Sequence, residues 1–153
     1  MSDSKKSFRT APIALVISII VTAVIYRTPQ AQFIAYPLLL LSTLVHELGH
    51  GFTAMLVGAE FEQFKMYADG SGVAYWSGDV GRLSRALISA GGLIGPAIIA
   101  GLLFTLGRFQ KGAKILLWFL AAILTLSLVL VVRNMFGIFF VSCVGLITAY
   151  FAS

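Results

Sequence analysis

Charge is scarce in this chain. Eleven Lys/Arg and six Asp/Glu residues make 11% of its 153 residues charged, while 59% are hydrophobic and mean hydropathy is +0.95. A soluble domain carries about 25% charged residues, so the composition excludes a disordered chain and argues against a water-soluble one. Cysteine is almost missing. Cys143 alone can build neither an intrachain disulfide framework nor a cysteine-based zinc cluster. Fifteen glycines and four prolines fall in no periodic or biased tract, which excludes collagen-like and linker segments. Internal repeats are absent, and the length suits a single domain. The net charge of +5 is dispersed between apolar runs instead of gathered in a stripe, so it sets membrane orientation and gives no footing for nucleic acid. Acidic residues are absent after Asp79.

What is present is a series of apolar runs, and the expected fold is an α-helical integral membrane protein. About five transmembrane helices are expected, with a β-hairpin between the second and third. A helix spanning about 30 Å of hydrocarbon needs roughly 20 apolar residues. The runs are residues 11–26, 33–58, 86–106, 115–132 and 135–151. The first is short and follows Lys5, Lys6 and Arg9; without an evident small-residue cleavage site it reads as a retained anchor rather than a signal peptide. Arg133 and Asn134 alone part the last two runs, which demands a tight turn. The whole reads as one membrane-embedded domain, residues 1–153: a basic segment 1–10, a central helix 33–58, a hairpin region 59–85 and a helical bundle 86–153. In the hairpin region, 61–67 and 72–76 are strand-like, and Ala68-Asp69-Gly70-Ser71-Gly72 supplies the positive-φ positions of a turn. With the N-terminus inside, seven Lys/Arg lie on the inner side and four on the outer. That bias favours a cytoplasmic N-terminus and hairpin, although Arg108, Lys111 and Lys114 run against it.

The only two histidines fall in His46-Glu47-Leu48-Gly49-His50. On a helix, positions i and i+4 lie about 40° apart, so both imidazoles can reach one Zn²⁺. Glu47 flanks that face, where a carboxylate can take a proton from water without ligating the metal. The bland alternative is a structural polar cluster. Inside an apolar run, however, each unpaired ionisable group costs on the order of 2.5 kcal/mol or more, which favours a metal site. His50 and His46 lie roughly 12 and 18 Å from the helix end at Gly58, buried in the membrane toward the inner side.

Three segments together resemble the site-2 protease family of intramembrane zinc metalloproteases, and most of all its small bacterial branch: Leu44-Val45-His46-Glu47-Leu48-Gly49-His50-Gly51, the hairpin Gly70-Ser71-Gly72-Val73, and Ala90-Gly91-Gly92-Leu93-Ile94-Gly95-Pro96. The similarity covers roughly residues 33–107, and Arg133-Asn134-Met135-Phe136-Gly137 extends it. The resemblance implies His46 and His50 as zinc ligands and Glu47 as general base. It also implies a hairpin that receives unfolded substrate by strand addition, with Gly72 and Val73 as contacts. Two departures stand out. The family's third ligand is usually an aspartate on a later span, and none follows Asp79. Asp69-Gly70 imitates the family's ligand pair, yet sits in a hairpin turn. Ile99 stands where members often have asparagine. A third ligand beyond Ser153, or weakened zinc chemistry, would reconcile the first departure. Asn134 is a poor zinc ligand and reads as an amide bonding backbone or substrate.

Gly91, Gly92 and Gly95 read as a close helix contact, Pro96 as a kink and Cys143 as packing. The expected activity is a zinc metalloendopeptidase of the bacterial cell membrane that hydrolyses membrane-protein or peptide substrates. Its expected surroundings are the lipid bilayer and, as an open alternative, a second copy in a homo-oligomer. A non-catalytic relative that binds a membrane partner or metal is the runner-up. A small transporter is third, and it lacks inverted repeats.

Overall fold

In the computed structural model the backbone of residues 2–153 is described, with side chains from Pro12 onward except Ala14, Tyr26 and Ile34. Five α-helices and two strands follow in order: α1 (Ser2–Arg27), α2 (Pro29–Leu56), β1 (Glu60–Met66), β2 (Gly72–Ser77), α3 (Arg82–Leu106), α4 (Gln110–Leu130) and α5 (Met135–Ala152). The chain divides into a unit ending at Leu39 and a second, Leu40–Ser153.

The first unit contains α1, the short link at Thr28 and the opening turns of α2. The apolar stretch Leu15–Ile25 of α1 is shorter than a full span, and its large residues, such as Ile13, Leu15 and Ile19, are exposed.

The second unit carries the three helices that, among the described residues, are long and apolar enough to cross a membrane: α3, α4 and α5. Their outer faces leave Leu93, Phe104, Phe119 and Phe139 exposed, as lipid-facing residues are. This is a membrane protein. Within it, α4 and α5 form an antiparallel pair joined by residues 131–134. The Arg133 guanidinium bonds the last carbonyls of α4, on Val129 and Leu130, and that of Val132 in the link, placing a cation at the negative end of the helix.

The hairpin forms where sequence patterning expects it. Tyr67 and Ser71 close its turn, with the Tyr67 N–H donating to the Ser71 carbonyl at 2.9 Å and Gly70 at φ 89°. The strands pair antiparallel, Phe64 opposite Ala74, Lys65 opposite Val73 and Met66 opposite Gly72, with an irregularity between Phe61 and Gln63. Phe64 and Met66 are fully buried beside Val132. The unexpected element is a third ribbon. Beyond β1, the Phe64 N–H donates to the Val131 carbonyl at 2.7 Å and the Arg133 N–H to the Phe64 carbonyl at 3.1 Å, a parallel bridge between Phe64 and Val132. The Asn134 side-chain amide then takes the place of the next peptide unit, accepting from the Met66 N–H at 3.1 Å and donating to the Met66 carbonyl. The tight turn between the last two spans is therefore also the partner of β1's second edge.

Candidate active site

His46, Glu47 and His50 sit on α2 in the second unit, half-buried. The Nε2 atoms of the two imidazoles are 3.1 Å apart, with the rings edge-on at 4.6 Å between centroids. His50 Nδ1 is 2.7 Å from the Ile88 carbonyl oxygen of α3. A carbonyl can only accept, so Nδ1 carries the proton and Nε2 presents its lone pair, the tautomer a metal-binding histidine needs.

Helix α3 comes close because both helices are glycine-lined at the contact. A Cβ on Gly49 would lie 2.3 Å from the Gly91 carbonyl oxygen, and one on Gly91 would lie 2.2 Å from Thr53 Oγ1. Gly92 does more than permit packing. A Cβ there would stand 2.3 Å from His50 Nε2 and 2.8 Å from His46 Cε1. Glycine thus gives both imidazoles room to lie against α3, a place that any side chain at 92 would take from them. Pro96 lies within α3 and has no N–H to return to the Gly92 carbonyl four residues back, which frees that oxygen at the same contact. Gly92→Ala should force the imidazoles apart, with an expected loss of bound zinc and about 1–3 kcal/mol of stability from overpacking. Gly101→Ala, whose Cβ would meet nothing within 4 Å, should change neither. Zinc content and thermal unfolding of the two variants check this.

Glu47 points to the hairpin. Its Oε2 accepts the Ala74 N–H at 2.8 Å, and one turn earlier the Thr43 hydroxyl donates to the Gly70 carbonyl at 2.7 Å. Thr43 and Glu47, at i and i+4, form one ridge of α2 laid along β2. The space between is narrow, since a Cβ on Gly72 would be 2.8 Å from both Thr43 Cγ2 and Glu47 Cγ. The strand alternation defines the edge. Phe64 turns its N–H and C=O toward residues 131 and 133, so its neighbour Lys65 and the opposite Val73 face each other across the ladder. Gly72 and Ala74 carry the outward groups of β2. Gly72 is thus gathered with His46, Glu47 and His50. Val73, 39% exposed, belongs to the inner ladder by its backbone, and Asn134 lies across β1 on the opposite edge, bonded to Met66.

Asp69 is a turn residue. Its Oδ1 accepts from the Ser71 hydroxyl at 2.6 Å and the Ser71 N–H at 2.9 Å on the exposed loop, and these donors, the hydroxyl first, hold its carboxyl below the usual range. Among the described residues no three His, Cys, Asp or Glu side chains are grouped so as to hold one metal ion.

The Peptidase M50B-like family model matches residues 14–153. The chain belongs to this family, the site-2 proteases. No curated protein and no solved structure matches it. The family is zinc-dependent in general, and the donor chemistry of this member fits zinc at two positions: Nε2 atoms that converge to 3.1 Å and a proton-fixing carbonyl behind one of them. Thr43, Ala74, Ile88 and Gly92 complete the surroundings and escaped the sequence reading. Thr43 had a usable signal, four residues before Glu47 on one face, and Ala74 had another, two residues beyond Gly72 on one edge. Gly92 was legible only as a packing residue.

Proposed function

We propose that this chain is an intramembrane zinc metalloprotease that hydrolyses peptide bonds of transmembrane or membrane-proximal substrates. The observation that carries the reading is the pair of Nε2 atoms 3.1 Å apart, on a helix whose intervening carboxylate reaches the edge of a β-hairpin. His46 and His50 would hold the zinc. When bound it supplies Lewis acidity, polarising the scissile carbonyl and acidifying water. Glu47 takes the proton of the attacking water and passes it to the departing amine nitrogen. Gly72 and Ala74 offer their outward backbone groups to an extended substrate segment, a role the register favours over Val73. An intact substrate helix hides its carbonyls in i→i−4 bonds, so such an edge gives the unwound segment replacement partners. The Ile88 carbonyl orients His50, and Asn134 keeps β1 joined to residues 131–134. The Lys/Arg bias supports a cytoplasmic N-terminus, and the resemblance to the small bacterial branch supports a bacterial cell membrane, with substrate arriving through the bilayer.

A second reading, a non-catalytic relative that binds a membrane partner or metal, draws on one observation: the two histidines gain no third acidic, histidine or cysteine ligand among the described residues. Proteoliposomes separate the two. With a single-span test substrate co-reconstituted, the protease yields two fragments, a zinc chelator stops their appearance, and added zinc restores it. Intact substrate throughout, in zinc-loaded vesicles, would favour the non-catalytic relative.

A further inference from the structure

Each edge of the hairpin is engaged at the positions nearest the site. Residues 131–134 hold the edge of β1 at Phe64 and Met66. On the edge of β2, the donor that an added strand would use, the Ala74 N–H, is already bonded to Glu47 Oε2 at 2.8 Å. Gly72, the next outward position, lies against the same side chain and Thr43.

We propose that Glu47 is a latch on the peptide-binding edge: on the Ala74 N–H its carboxylate stands in the place of a backbone carbonyl of the substrate. An extended peptide must displace the latch to be seated, and displacement frees the carboxylate. The inference rests on the reading of β2 as the substrate-receiving strand. A carboxylate is a stronger acceptor than a neutral amide carbonyl, so one peptide bond cannot evict it cheaply. A segment long enough to bond both Gly72 and Ala74 gains several interactions for the one it breaks. Short or helical peptides therefore fail at this step. The bond from Thr43 to Gly70 lies beyond the contested donor, so the hairpin turn stays attached to α2 while the latch opens.

If Glu47 competes with the peptide, removing its carboxylate tightens peptide binding, the reverse of what loss of a substrate contact does. The test is equilibrium fluorescence anisotropy on the purified full-length chain in nanodiscs. The probe is a dye-labelled decapeptide of alternating valine and threonine, shown intact by mass spectrometry after each titration. Glu47→Ala should bind it about tenfold more tightly than the unsubstituted protein, as loss of one charge-assisted competitor implies. Glu47→Gln, whose neutral amide oxygen can still accept from Ala74, should fall between. Ala74→Pro removes a donor that makes no ladder bond to β1; it should weaken binding and cancel the gain in the double variant Glu47→Ala/Ala74→Pro. Weaker binding by Ala74→Pro, without tightening by either Glu47 variant, would overturn the latch and leave strand addition standing. Equal binding by Ala74→Pro and the unsubstituted protein would remove strand addition, and the latch with it.

Discussion

Glu47→Gln should abolish peptide cleavage and leave the zinc in place. The amide has the size of the carboxylate and can still accept the Ala74 N–H now bonded at 2.8 Å, so the hairpin stays docked on α2. It cannot take a proton from water. Loss of a general base typically costs about 10²–10⁴-fold in rate, and the decline should appear in kcat. Zinc content measured beside cleavage in proteoliposomes makes the comparison decisive. Cleavage at the unsubstituted rate would take the base role from Glu47, whereas lost cleavage accompanied by lost zinc would mean that the carboxylate serves the metal site instead.

His46→Ala and His50→Ala should each reduce bound zinc from about one per chain to near none, because a single remaining imidazole cannot retain a metal that catalytic sites hold with about three protein ligands. The two variants differ in what else they lose. Among the described residues His46 has one polar contact, the Nε2 of its partner. His50 also donates to the Ile88 carbonyl, so its removal cuts a bond between α2 and α3, worth about 0.5–1.5 kcal/mol. Both variants should therefore lose the metal alike, and His50→Ala should also unfold at the lower temperature. Equal zinc in the unsubstituted protein and both variants would place the metal elsewhere.

The three helices long and apolar enough to cross a membrane were readable from apolar run length, with ends within a few residues of those expected, because polar or glycine-containing stretches part them. The hairpin was readable from its turn residues, and the site-2 protease family from the histidine pentapeptide and the glycine–proline segment. The partner on β1's far edge was not. Val131 to Asn134 carries no strand pattern of its own, and pairing with Phe64 depends on contacts between distant parts of the chain. The outward face of β2 was hidden for a related reason. A period of two says that alternate residues share an edge, and only the pairing of Phe64 with 131 and 133 tells which alternate set faces out. Of the about five spans expected, three helices among the described residues are long and apolar enough to cross a membrane.

The side-chain amide of Asn134 and the backbone of Met66 are 68 positions apart, and that separation orders events during synthesis. When β1 and β2 emerge from the ribosome they can pair with each other, but β1's second edge stays unfilled until α4 and the residues after it have been made. Long-range closure of this kind is slow relative to local helix and hairpin formation. The nascent hairpin thus spends that interval with one edge of β1 unpaired, a template for wrong pairing. A side chain that counterfeits a peptide bond at Asn134 ends the exposure as soon as the last helix begins, and couples maturation of the centre to completion of the bundle.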